Sequence, residues 1–413
     1  MTDPSPASLR PRDPAFVGRD TLIHDVRKRL FDGDRVVLHG PDGVGKSETA
    51  AEYAHRFATD YDKVLWVDAG IAHIVDTTAE AFESAFRGRD RRLLILDDLT
   101  DPVDALPDGA GHILVTSRSD RGWAGIAEPV PVSPFARDEA VELLRGRLAR
   151  LTPDDAEQVA DALGDLPLGL RLAAATLAET AMAPAAYLET LAGYASEAAD
   201  GSALTSAALV AAAHLQDADP AAADLLRLCA LLAPAPIPLD LFAAGGRDGL
   251  PPTLAAVADV VGLDAAVERV ARRIVRFGLA RDDGGLVVHA TVQAAIRDAM
   301  PPAAGAGSRV RAERLLVAAQ PHAWGNIWQR HNWRPFVPHV FAVDPVATTD
   351  DELRRLAAMT IQWLNAKASP VAAFRAGSYL EHEYVNRHGP DDRYALMIAA
   401  EVEKARQKIH GPG

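Results

Sequence analysis

The stretch Val36–Ser47, VVLHGPDGVGKS, constrains the fold of this chain more than any other. Val36, Val37 and Leu38 read as a buried strand that runs into a glycine-rich loop and then a helix. Gly40, Gly45, Lys46 and Ser47 fit the G-x-x-x-x-G-K-[ST] template of a phosphate-binding loop. Its glycines let backbone N–H groups turn inward around phosphate oxygens, where side chains would block the approach. Lys46 would bridge the β- and γ-phosphates, and the Ser47 hydroxyl would ligate Mg²⁺. The helix beginning near Lys46 adds the positive end of its dipole. Ala50, Tyr53, Ala54 and Phe57 recur at helical spacing, so one helix face can pack on a sheet. On these residues alone the loop implies phosphate binding and leaves kinases, GTPases and transporters open.

At 413 residues the chain has room for about three domains. Its 48% apolar and 24% charged residues are ordinary for a globular chain with a large core. A net charge of −14 argues against a general nucleic-acid-binding surface. The single cysteine, Cys229, lies in the apolar run Leu226–Leu232 and reads as a small buried hydrophobe, which fits a reducing compartment. No apolar run approaches the ~18–20 residues that span a bilayer. The N-terminus lacks a basic-then-apolar signal. The expectation is a cytoplasmic protein without a membrane partner.

Residues 1–14 hold four prolines and almost nothing apolar, so they read as a disordered leader, with no effector domain ahead of the loop. A helix from about Thr21 to Phe31 should end at Gly33. Val64–Val67, Leu93–Leu96 and His112–Thr116 are further apolar strand-like runs, and Pro129–Val132 suits only a sheet edge. Continuous apolar strands separated by helices indicate a parallel sheet covered on both faces. From Ser133 the period becomes helical, with segments over 139–151, 153–163 and 168–181. Residues 184–245 read as alanine-rich helices. Within 262–300 a helix ending near Gly278 precedes a strand at Leu279–Arg281, a turn at Asp282–Gly285, a strand at Leu286–His289 and a helix carrying Val292 and Ile296. This is the pattern of a winged helix. Trp324, Trp328, Trp333 and Trp363 concentrate in the helical remainder as core packing, and Ala372–Gly411 reads as one helical hairpin.

Two more stretches carry chemistry. Leu93–Asp98 is an apolar strand that delivers two carboxylates to its C-terminal edge, where ligands of open parallel sheets bind. Asp97 would hold Mg²⁺, and Asp98 would orient or deprotonate an attacking water. Arg118, after the fourth strand, could reach a γ-phosphate bidentately.

Phe16-Val17-Gly18-Arg19, the loop, Trp66-Val67-Asp68-Ala69, Leu96-Asp97-Asp98, Thr116-Ser117-Arg118, Leu166-Pro167-Leu168 and His289 occur in this order. Over residues 14–303 the set resembles the NB-ARC class of STAND NTPases, signalling ATPases that include apoptosome and plant-resistance proteins. It is most similar to bacterial members with C-terminal tetratricopeptide repeats. The resemblance implies an α/β plus all-α chain. It would comprise a P-loop domain (15–133), a helical domain (134–203), a winged-helix domain (204–303) and a helical, tetratricopeptide-like region (304–413), truncated or unusually short.

It also implies ATP and ADP as ligands, with Mg²⁺. Phe16 and Val17 would lie beside the adenine, with Arg19 near the nucleotide. Gly43, Val44, Gly45, Lys46, Ser47 and Glu48 would wrap the phosphates, and Pro167 would pack on the base. Arg118 would sense the γ-phosphate, and His289 would reach the β-phosphate of ADP. The implied activity is slow ATP hydrolysis in a switch that is monomeric with ADP and self-associates with ATP. An inducer and an effector would act through the C-terminal helices. One departure is Val288-His289-Ala290, where the family has methionine-histidine-aspartate. The alternative is a DNA-binding regulator that uses Arg269, Arg272, Arg273 and Arg276 on the winged helix. A metabolic kinase lacks a recognisable acceptor site.

Overall fold

In a computed structural model the described residues are 9–68, 91–99, 106, 111–197, 202–320 and 330–410. Ala69, Trp324, Trp328 and Gly411 lie outside them. The chain forms two compact units, Met1–Arg171 and Leu172–Gly413. The division falls inside the 134–203 segment expected as one helical domain.

The first unit is built on five parallel strands: β1 (Arg35–His39), β2 (Lys63–Asp68), β3 (Arg92–Asp97), β4 (His112–Ser117) and β5 (Glu128–Pro131), in the order β2-β3-β4-β1-β5. The apolar runs alternate between faces. Val36, Leu38, Leu93, Ile95 and Leu114 pack with Ile23, Val26 and Leu30 of α1 (Asp20–Gly33) and with Ala50, Tyr53 and Ala54 of α2 (Lys46–Arg56). Val37, Leu94, Leu96, Ile113 and Val115 face the other way, against Leu99, Leu106 and Trp123. Both faces are thus covered, which explains why the strands are apolar throughout.

The edge position of β5 matches its two prolines. Pro129 and Pro131 occupy alternate positions, while the Val132 N–H just beyond turns inward to the His39 carbonyl at 2.7 Å. The α1 helix does close at Gly33, but the left-handed residue after it is Asp34, whose N–H bonds the Leu30 carbonyl. Helices Arg137–Arg147 and Pro153–Ala162 also belong to this unit, and another, Pro167–Thr180, begins in it.

Of the expected leader, residues 1–8 lie outside the described residues, and 9–14 do not fit the reading of disorder. Residues 9–14 are held against the sheet unit. Arg12 makes a bidentate pair with Glu52, a carboxylate only 3% exposed, and Leu9 packs against the core of the α1–α2 face. Composition pointed to disorder because these six residues lack an apolar face. Buried carboxylates elsewhere supply what holds them.

Among the described residues the second unit is helical apart from a hairpin of β6 (Arg281–Asp282) and β7 (Leu286–Val287), between the helices Leu263–Arg276 and Ala290–Ala299. Helix, hairpin and helix follow the expected order, but β6 extends to Asp282 and the turn is shorter. His289 leaves the strand to cap the next helix. Gln293, 1% exposed, donates to the carbonyls of Cys229 and Leu232, and Arg297 donates to that of Ala230. These bonds satisfy carbonyls at and beyond the end of the helix Pro220–Cys229. Cys229 is buried, and burial pushes its thiol well above the usual range. The C-terminal hairpin of Pro370–His388 and Arg393–His410 matches the expected one, and Trp333 stacks on Trp363 with centroids 5.8 Å apart. Among the described residues no helix is long and apolar enough to cross a membrane.

His339, fully buried, accepts the Ala233 N–H at Nδ1 and donates from Nε2 to the Pro236 carbonyl, each at 3.2 Å. A donor on one side and an acceptor on the other fix a neutral ring, and burial lowers its pKa to about 4. The unfolded ring titrates near 6.5, so this stabilisation is complete above that pH and is lost as pH falls toward 4. The loss amounts to roughly 3 kcal/mol. Urea midpoints measured at pH 7 and pH 4.5 should show it, and His339→Gln, which keeps a donor and an acceptor, should flatten the difference.

Candidate functional site

The loop after β1 is shaped by glycines in conformations that favour glycine. Gly40 has φ 152°, and a Cβ there would sit 2.5 Å from the Val132 carbonyl oxygen. Gly45, at φ 93°, precedes the first residue of α2. Lys46 and Ser47 therefore open the helix, where unpaired N–H groups point out of its end. Two other segments close on the loop. Leu168 donates its N–H to the Gly43 carbonyl at 3.1 Å, and Pro167 lies beside Gly45. Arg19 donates to the Val44 carbonyl at 3.2 Å and stacks over Phe135. Arg19 is itself left-handed, and its N–H is held by Glu139 at 3.0 Å. Phe16 packs on the core of the α1–α2 face, under the guanidinium of Arg56.

Lys46 is 8% exposed and donates to the carbonyls of Gly40 and Pro41 at 2.8 and 2.9 Å. Burial lowers its pKa, while Asp42, Asp98 and Asp97 act the other way. The ammonium thus sits in a place that favours a further negative partner, as a phosphate would be.

Strand order brings β4 between the loop strand β1 and the carboxylate strand β3. Thr116 of β4, fully buried, donates its hydroxyl to Asp97 Oδ1 at 2.6 Å and accepts the Asp98 N–H at 2.8 Å. That bond fixes Asp98 in a left-handed conformation, φ 58°, unusual for a residue with a Cβ. Burial raises the Asp98 pKa from its ordinary value, against the pull of Arg118. Arg118 is half-exposed, its Nε 3.3 Å from Asp42 and 3.8 Å from Asp98. Asp97, 2% exposed, meets Arg10 through its second oxygen at 3.0 Å.

Lys46, Asp97, Asp98 and Arg118 are thereby gathered at the C-terminal edge of the parallel sheet, with Arg19 and Pro167 against the same loop. Val17 precedes the left-handed residues Gly18 and Arg19, and Ser47 and Glu48 lie in the first turn of α2. His289 belongs to the second unit, where its Nδ1 accepts the Thr291 N–H.

Arg10, Asp42, Thr116 and Glu139 carry site geometry that sequence reading did not assign. Asp42, inside the loop template, was the one most open to detection; the others depend on contacts distant in sequence.

The donor set fits Mg²⁺. Ser47 offers a hydroxyl and Asp97 a carboxylate, both hard oxygens, and a magnesium that also takes phosphate needs only one or two protein ligands. Among the described residues no group of three or more His, Cys, Asp or Glu side chains forms a self-sufficient metal cage. Bound there, the cation would neutralise charge on phosphate oxygens. This is a P-loop NTPase fold.

No protein-family model matches the chain. Uncharacterized proteins of Mycobacterium tuberculosis and Mycobacterium bovis are each 33% identical, over 39% of this chain and 50% of theirs. The chain spans about half the length of the curated relatives it matches. Among solved structures, a signal transduction ATPase with numerous domains and a tetratricopeptide repeat sensor from Pyrococcus horikoshii aligns at TM-score 0.48 and 14% identity. That alignment covers 98% of this chain and 67% of the other. A Walker-type ATPase of Pyrococcus abyssi (TM-score 0.34, 13%) and the RuvB branch migration motor of Thermotoga maritima (0.30, 16%) each cover 71% of this chain and 99% of theirs.

Thr116→Val should leave the Asp98 N–H and an Asp97 oxygen unpaired and cost roughly 2 kcal/mol in a urea titration. Thr116→Ser should recover most of it.

Proposed function

We propose that the chain is a nucleotide-operated signalling switch of the STAND type, NB-ARC class, that binds ATP or ADP with Mg²⁺ and hydrolyses ATP slowly. The observation that carries this is the convergence of Lys46, Asp97, Asp98 and Arg118 on one phosphate loop, with Pro167–Leu168 and Arg19 closing on the same loop. Lys46 holds the β- and γ-phosphates, and Arg118 reports the third phosphate. Asp98 orients the attacking water and takes its proton. Burial raises its pKa, which is in keeping with a base. Ser47 and Asp97 hold the cation.

In this proposal His289 reads the β-phosphate of ADP and favours a closed monomer, and ATP exchange releases the chain to self-associate. The region 204–303 acts as the winged helix, and 304–413 receives the inducer and effector. The setting is the cytoplasm.

The DNA-binding alternative loses support at its own arginines. Arg273 and Arg276 both clamp Glu179, Arg272 pairs with Glu268, and Arg269 lies 4.0 Å from Asp219. A helix whose cations already face carboxylates has little charge left for phosphates.

Denaturing the purified protein should release ADP. Lys46→Ala should abolish binding of a fluorescent ATP, and Asp98→Ala should keep binding while losing hydrolysis. Full turnover by Asp98→Ala would remove its assigned role.

A further inference from the structure

The segment 9–14, just ahead of the Phe16–Arg19 motif, is tied down by Leu9 against the core and by a series of polar and charged contacts. The Arg10 carbonyl meets His55 Nε2 at 2.7 Å, and the Arg10 guanidinium lies over the Trp66 ring, 4.8 Å from its centroid. Arg12 is paired with Glu52. Asp13 stands 3.4 Å from Arg171 and 3.8 Å from Arg147. One of these contacts reaches the cation site itself, the Arg10–Asp97 pair.

We propose that Arg10 is a displaceable counter-cation for Asp97, so that a divalent cation arriving with the nucleotide evicts it and loosens the segment 9–14. The inference rests on the reading of Asp97 as the magnesium carboxylate. Asp97 has two oxygens. Oδ1 is committed to the Thr116 hydroxyl, which also holds Asp98, so Oδ2 is the oxygen with scope to change partners. Arg10 Nη2 occupies it at 3.0 Å. A guanidinium and a hydrated Mg²⁺ on the same oxygen would place like charges within a few ångströms in a poorly screened pocket, so the two exclude each other. A carboxylate this buried also needs a positive partner at all times, and the exchange supplies one in both states. Linkage then works in both directions. The docked segment weakens cation binding, and the cation weakens docking by the same factor.

The test uses the full chain. Mg²⁺ is titrated against an N-methylanthraniloyl ATP, whose fluorescence reports binding. Arg10→Gln should lower the half-saturating Mg²⁺ concentration roughly fivefold or more, with nucleotide binding in EDTA unchanged. An unchanged or higher Mg²⁺ midpoint, with nucleotide binding intact, overturns the exchange and leaves the nucleotide site standing. Failure of the unmutated chain to bind the nucleotide overturns both. A second measurement needs no substitution: tryptic cleavage after Arg12, followed by mass spectrometry. It should be faster with Mg²⁺ and ATP than with ATP and EDTA, and equal rates count against the proposal.

Discussion

A single buried carboxylate, Asp97, sets the terms for the site. Placed at the end of a strand and almost wholly shielded from water, its charge has to be met by the protein, because isolated burial would be prohibitive. Two neighbours meet it from different parts of the chain, the Thr116 hydroxyl from β4 and the Arg10 guanidinium from the segment before the motif region. The first of these contacts also reaches the backbone of Asp98. One hydroxyl thus sets the positions of both acidic residues, and the left-handed turn at Asp98 is the geometric result.

The strand order explains why Thr116 is the residue for this task. In a parallel sheet the strand inserted between β1 and β3 delivers its own C-terminal end to the same edge. Thr116 and Arg118 therefore lie between the loop and the carboxylates, one buried and structural, the other half-exposed and facing Asp42 and Asp98. The same chain direction that buries apolar runs on both faces gathers the polar ends on one edge.

What could be read in the sequence was what is local. The strand–loop–helix around Lys46 needs only adjacent residues, and the edge strand announces itself through Pro129 and Pro131. The order of helix, hairpin and helix near His289 follows from short apolar runs and a glycine turn, although its strand limits shift by one or two residues. Contacts that cross the chain were not legible. Arg10 lies far from Asp97 in sequence, and nothing in a proline-rich leader signals a buried partner. Glu139 reads as an ordinary helix residue until the fold places it under the Arg19 N–H. The unit boundary at Arg171 is hidden for the same reason, since the helix Pro167–Thr180 runs through it without a break in pattern.

The prolines of β5 have a meaning for assembly. The Val132 N–H turns inward to β1, so the alternate positions, 129 and 131, are those whose donors would point away from the sheet. Both are proline and have no donor to offer. The outer margin of β5 therefore presents carbonyls without matching N–H groups, a poor template for another strand. Copies of this chain cannot readily zip together there through their backbones. Association along that margin has to be written in side chains, whose charge and shape a bound ligand can change.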